Sequence, residues 1–143
     1  MIELTAEMRE ALDRSLTDRM PVMVATASAA GVPDITFKGS AMVWDGEHLA
    51  FWERSHGMTE RNLAENPHVT LLYRNPEARV SWKFFGAAEL LREGALREKI
   101  MARTTPLELE RDPERKGTAV LIRVDRVLQG PSVLMEREHG SGR

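Results

Sequence analysis

The stretch from Phe51 to Pro67 (FWERSHGMTERNLAENP) constrains this chain more than any other. Phe51 and Trp52 end an apolar strand, a short polar turn follows, and a helix of barely two turns then runs to Asn66. Pro67 stops it, because proline lacks an N–H and restrains the residue before it. A strand that feeds a polar turn and a helix start leaves backbone N–H groups pointing outward, where the helix dipole favours negative charge. The stretch therefore reads in one of two ways: as a seat for an anion such as a phosphate, or as an exposed hairpin end with an ordinary N-cap at Ser55.

The flanking segments carry strand and helix periodicities in alternation. Leu4, Met8, Leu12 and Leu16 recur every four residues, which predicts an amphipathic helix within residues 1–20, with Thr5 as N-cap and Pro21 as terminator. Met20 to Ser28 is apolar and β-branched, the pattern of a buried strand, and Ala29 to Pro33 supplies a turn. Asp34 to Trp44 splits by parity: Ile35, Phe37, Gly39, Ala41 and Val43 on one face, Thr36, Lys38, Ser40, Met42 and Trp44 on the other. Asp45-Gly46 is a hairpin turn that returns the chain antiparallel through Leu49 to Trp52. Counting out from that turn brings Lys38 and Ser40 beside Trp52 and Glu53. His68 to Arg74 is a further strand. Arg79 to Leu91 is a long one, with Val80, Trp82, Phe84 and Ala88 sharing a face and Gly86 marking a bulge. Helices are expected at Arg92–Met101 and Thr105–Arg111. A last strand spans Thr118 to Leu128, with Val120, Ile122 and Val124 inward, and residues 129–143 read as a polar tail whose Gly-Ser-Gly-Arg end is loose. The fold class is thus α+β: a six-stranded antiparallel sheet with flanking helices, closed into a barrel to remove its edges.

At 143 residues the chain is expected to be a single domain. A net charge of −2 argues against nucleic acid or anionic membrane as a partner. The absence of cysteine removes thiolate nucleophiles and Cys-ligated metals. No apolar run approaches the roughly 20 residues of a membrane helix, and Met1–Met20 mixes acids and bases unlike a targeting peptide, so a cytoplasmic location is expected. Ser28, Ser40, Ser55 and Ser81 lack a nucleophile-elbow context, and His48, His56, His68 and His139 lack triad or metal-ligand spacing. Neither a Walker A loop nor G-x-G-x-x-G is present. No catalytic side chain and no metal site is expected. What remains is either a binding site, in which Lys38, Ser40, Ser55 and Thr59 would converge on a phosphate if the two strands pair through Asp45-Gly46, or an exposed hairpin with an ordinary N-cap at Ser55.

The order of helix, Val24-Ala25-Thr26 strand, Gly31-Val32-Pro33 turn, Asp45-Gly46 hairpin and Phe51-Trp52 strand, followed by Thr59 to Leu71 (TERNLAENPHVTL), resembles the flavin-binding split barrels related to pyridoxamine 5′-phosphate oxidase. Val80 to Leu90 with Gly86-Ala87-Ala88 adds to the likeness, which runs from Met8 to Leu128. The resemblance implies a homodimer with FMN lying across two equivalent sites at the subunit interface. Thr36, Phe37, Lys38 and Gly39 would line the flavin ring and ribityl chain, Phe51, Trp52 and Glu53 would follow on the next strand, and Trp82 would reach in from the other subunit. Met58 and Thr59 fall where the family commonly has Lys-Thr or Arg-Lys to clamp the phosphate. Met58 departs from that pattern, and Arg54, Lys38 and Arg61 are the neighbouring cations able to replace the missing charge. The implied activity is an oxidoreductase passing electrons or hydride through the flavin, with a donor such as NAD(P)H. The alternatives are a flavin carrier without catalysis, or a deazaflavin- or haem-binding member of the same fold.

Overall fold

The computed structural model describes residues 1–138, so His139 and the Gly-Ser-Gly-Arg end lie outside the described residues. Twelve elements follow in order: α1 (Ala6–Asp13), β1 (Val22–Ala27), β2 (Pro33–Lys38), β3 (Met42–Val43), β4 (His48–Glu53), α2 (Met58–Glu65), β5 (His68–Asn75), β6 (Val80–Leu91), α3 (Ala95–Arg103), α4 (Pro106–Leu109), β7 (Thr118–Gln129) and β8 (Ser132–Glu136). The strands form one antiparallel sheet in the order β2-β1-β5-β6-β7-β4-β3, with β8 added along β7. Among the described residues no helix is long and apolar enough to cross a membrane.

The sheet curls because its inward positions are large and apolar while its long strands bend. Val22, Val24, Leu49, Phe51, Leu71, Trp82, Phe84, Val120, Ile122 and Val124 all meet in one buried core. α1 lays Met8 and Leu12 against it, each 1% exposed, and Thr5 caps that helix by accepting the Met8 N–H at 3.1 Å. The bend falls at Gly86, where pairing of β6 with β7 slips in register. A β-carbon there would stand 2.2 Å from the Arg123 carbonyl oxygen, so only glycine permits the two backbones to approach this closely. A second cluster covers the outer face: Met42, Ala50, Trp52 and Ala119 pack under Ile100 of α3, with Leu109 of α4 alongside. β4 is therefore apolar on both faces, unlike an alternating surface strand.

Three expectations are corrected. The single strand expected over Asp34–Trp44 is two, because the chain turns at Gly39–Ala41. Its first part pairs with β1, from Val22↔Lys38 to Ala27↔Pro33, and only its second part pairs with β4. The Ser40 hydroxyl accounts for the break: it accepts the Trp52 N–H at 2.9 Å and donates to the Trp52 carbonyl at 3.1 Å. One side chain thereby replaces a rung of backbone ladder. Among the described residues eight strands stand in place of six, the break contributing one and β8 the other. β8 lies within the stretch read as a polar tail; Gly130 turns the chain at φ 55, and Met135 then packs on the core. Closure, finally, is partial. β2 and the β3–β4 pair end the path without a ladder between them, and side chains alone draw them together.

Candidate functional site

Where the two ends of the sheet meet there is a cleft of about 180 Å³, lined by Thr36, Phe37, Lys38, Gly39, Trp52, Arg54, Ser55 and Glu108. Of the residues expected from sequence, Thr36, Phe37, Lys38, Gly39, Trp52 and Ser55 line it together. Parity in β2 explains which side chains face in. Thr36 and Lys38 are partly buried, while Ile35 and Phe37 are 63% and 62% exposed, so the polar face turns inward and the apolar face outward.

Beneath the cleft, Glu53 is fully buried at the end of β4. Its Oε1 faces the Lys38 ammonium at 2.5 Å, and its Oε2 accepts the Ser55 N–H at 3.1 Å and the Ser55 hydroxyl at 2.7 Å. Burial by itself raises the Glu53 carboxyl, but Lys38 and Ser55 outweigh it and hold the group below its ordinary pKa. Ser55 is therefore occupied with Glu53. The N-cap expected there falls instead at Gly57, which offers no side chain, so the first amides of α2 have no capping partner. Met58 is half exposed and Thr59 buried at this helix start.

Phe51 and Ser40 are buried behind the cleft, Phe51 in the main core and Ser40 on the Trp52 backbone. Trp82 is not brought to it. It stacks on Tyr73 at 5.5 Å between ring centroids and borders a separate cavity with Glu7 and Arg14 of the α1 region.

Several residues that sequence reasoning passed over hold the site in place. Glu108 of α4 accepts Arg54 Nε at 3.0 Å. Asp112, just after α4, takes the Trp52 indole N–H at 2.9 Å and the Lys116 and Gly117 amides at 3.0 and 2.8 Å. Burial raises its carboxyl, and these three donors more than reverse that, so its pKa is lowered. His56, at φ 52, bonds Glu60 through Nδ1 at 2.8 Å and the Lys116 carbonyl through Nε2 at 2.9 Å. Both partners are acceptors, an arrangement that favours the doubly protonated ring, and Glu60 foremost raises its pKa. Arg92 and the Thr118 hydroxyl satisfy the other Glu60 oxygen. The bonds of Asp112 to Trp52, Glu108 to Arg54, His56 to the Lys116 carbonyl and Arg92 to Glu60 span 32 to 60 positions along the chain, a separation that leaves no local pattern to read.

Of the cations near Met58, two are committed: Lys38 to Glu53 and Arg54 to Glu108. Arg61 lies exposed on α2. The cleft thus offers amides, hydroxyls and an aromatic wall, with its positive charge balanced internally.

Known proteins resemble this chain in sequence and in fold. The chain is 29% identical over 123 residues to the uncharacterized protein MJ0282 of Methanocaldococcus jannaschii, covering 85% of this chain and 77% of that one. HupZ of Group A Streptococcus superposes with a TM-score of 0.69 at 26% identity, over 96% of this chain and 99% of that one. A putative pyridoxamine 5′-phosphate oxidase of Lactobacillus delbrueckii gives 0.70 at 23% identity, over 90% and 95%. At fold level the sheet is also that of an FMN-binding protein from Syntrophomonas wolfei (15% identity, TM-score 0.64), an F420 reductase (19%, 0.60) and the haem storage protein HutZ from Vibrio cholerae (16%, 0.62). The family model described as pyridoxamine 5′-phosphate oxidase matches residues 4–129, and the chain belongs to that family.

Proposed function

We propose that this chain is a flavin-dependent oxidoreductase, with FMN held between two copies and a substrate of unassigned structure. The observation that carries the reading is the convergence of Thr36, Phe37, Lys38, Gly39, Trp52 and Ser55 on one cleft close in sequence to the uncapped start of α2. When bound, the flavin supplies the hydride or electron transfer, and the protein orients it. The residues fit such a group in part. The unpaired edge of β2 offers backbone donors and acceptors to a planar ring, and Thr59 with the α2 amides offers a seat for an anion. The pairing of both cleft cations leaves a dianionic phosphate without the lysine or arginine it would ordinarily meet.

A dimer is supported by the outward face of β2, where Ile35 and Phe37 stand exposed on a strand whose free edge ends the sheet. The resemblance would bring Trp82 of one copy to the cleft of the other, but Trp82 is 3% exposed and stacked on Tyr73 in the core, so the dimer reading assigns it no contact. A haem-binding reading has less support, since His48, His56 and His68 are all at least partly exposed and none lines the cleft. A deazaflavin in place of FMN is the second reading, supported by the fold shared with an F420 reductase.

The absorption spectrum of the purified protein, before and after FMN is added, tests this directly. A flavin spectrum retained through dialysis is expected, together with bleaching under anaerobic NADH or NADPH. A colourless protein that takes up no flavin overturns the reading. Bound flavin that neither donor reduces leaves a carrier in its place.

A further inference from the structure

Glu108 is the cleft's anionic wall. It is 8% exposed, although its neighbour Leu107 on the same short helix is 46% exposed. Its Oε2 accepts Arg54 Nε at 3.0 Å, and its Oε1 covers the backbone at Gly39, where a β-carbon would meet it at 2.7 Å. The carboxylate therefore spans from Arg54 to the end of β2, across the wall that a bound ligand would touch. α4 is held over the cleft by Asp112, whose three bonds tie it to Trp52 and the Lys116–Gly117 backbone.

A carboxylate on a guanidinium presents the same donor–acceptor match as a phosphate oxygen on that guanidinium. For an incoming phosphate to take the Arg54 Nε–H, Glu108 must leave, and a buried carboxylate without its partner is costly. If both anions stay, like charges share one cation. We propose that Glu108 is the specificity-determining residue of this cleft: as a built-in anion on Arg54, it removes the binding advantage of a dianionic phosphate. The chain then accepts a flavin nucleus without selecting for its phosphate. The inference rests on the flavin reading of the site, and it adds which part of the ligand the site ignores.

The test compares FMN, riboflavin and inorganic phosphate on the full chain at fixed ionic strength, by calorimetry and flavin fluorescence, in the wild type and in Glu108→Gln. Glutamine keeps the side-chain shape and still accepts from Arg54, and thermal unfolding checks the fold. The wild type is expected to bind FMN and riboflavin within about threefold of one another. Glu108→Gln should tighten FMN by on the order of tenfold, leave riboflavin unchanged, and gain affinity for inorganic phosphate. A wild type that prefers FMN over riboflavin by about tenfold or more overturns the proposal without any variant. So does a folded Glu108→Gln protein with an unchanged FMN-to-riboflavin ratio and no added phosphate binding, while the flavin reading stands. Failure of both flavins to bind, alongside a phosphate gain in Glu108→Gln, overturns the flavin reading and keeps the role of Glu108.

Discussion

Lys38 Nζ stands 2.5 Å from Glu53 Oε1 and so joins β2, the first strand of the sheet path, to β4 near its far end. No backbone ladder runs between these strands. The ion pair and the neighbouring Ser40–Trp52 bonds are what hold the curled sheet's ends together. A dry contact of this kind is asymmetric in its energetics. Taking away one partner leaves a buried charge, whereas taking away both leaves little to solvate.

Lys38→Met should accordingly destabilise the protein by about 3–5 kcal/mol in urea unfolding, and adding Glu53→Gln should recover much of that loss. The native pair also carries a pH signature. Because the folded Glu53 pKa lies below its ordinary value of 4.5, its contribution is present above that value and is lost as pH falls through the lower folded one. Acid unfolding of the double variant should lack this component. Equal losses for the single and double variants would show that the pair does not close the sheet.

His56 works in the opposite sense. Its folded pKa is raised above 6.5, mainly by Glu60, with the Lys116 carbonyl and Glu53 adding to the effect. The clamp is fully present below 6.5 and is lost as pH rises through the higher folded value. Thermal unfolding between pH 6 and 9, a window spanning about that rise, should show a fall in Tm. His56→Asn should flatten the fall, because asparagine tolerates the left-handed backbone at φ 52 while lacking the charge. An identical pH slope in the variant would mean that another group titrates there.

Gly86→Ala tests the bend. Its β-carbon would meet the Arg123 carbonyl at 2.2 Å and the Ile122 side chain at 2.9 Å, and the backbone contact has no means of yielding locally. A loss of about 1–3 kcal/mol is expected. Gly46→Ala is the control, since nothing lies within 4 Å of the added atom. That change should stay within about 0.5 kcal/mol of wild type. Two equal losses would locate the cost in helix and strand propensity and not in the close approach.

Most of the sheet was legible because local pattern encodes it. The face shared by Val80, Trp82, Phe84 and Ala88, the inward Val120, Ile122 and Val124, and the Gly86 bulge are all properties of a few consecutive residues. Strand partnership was less so. Asp45-Gly46 specifies the β3–β4 hairpin, but nothing local says that the chain leaves the ladder at Gly39, because the cause is one hydroxyl, Ser40, bonding a backbone twelve positions on. Of the cleft's lining, Thr36, Phe37, Lys38 and Trp52 follow from strand pattern, Trp82 lies elsewhere, and the acids Glu108 and Asp112 were not legible. Glu108 and Asp112 sit among alternating Glu, Arg and Asp that look like any solvated helix face. Only the return of α4 over Trp52 gives them a role.

Phe37→Asp probes the outward face of β2. Phe37 is 62% exposed and also borders the cleft, and the change should leave the fold intact within about 0.5 kcal/mol. If two copies meet across this face, gel filtration should shift from a dimer to the 16.1 kDa monomer. A wild-type protein already eluting as a monomer would remove the interface from the proposed function.

Met58→Lys asks where a phosphate would sit. Met58 opens α2, is 51% exposed and follows a cap residue with no side chain, so a lysine there adds charge without displacing packing. Unlike Arg54, it would face no carboxylate within the cleft, since Glu53 is satisfied by Lys38 and Ser55 and Glu108 by Arg54. One new charge-assisted hydrogen bond is worth roughly 1.5–3 kcal/mol, so FMN should tighten ten- to a hundredfold by calorimetry, roughly as that energy converts. Riboflavin, without the phosphate, should bind as before. The gain should also shrink as salt rises, because the added lysine is exposed and screened. An unchanged FMN affinity, with the helix intact by circular dichroism, would put the phosphate away from α2 and leave the cleft's aromatic wall as its main contact with the ligand.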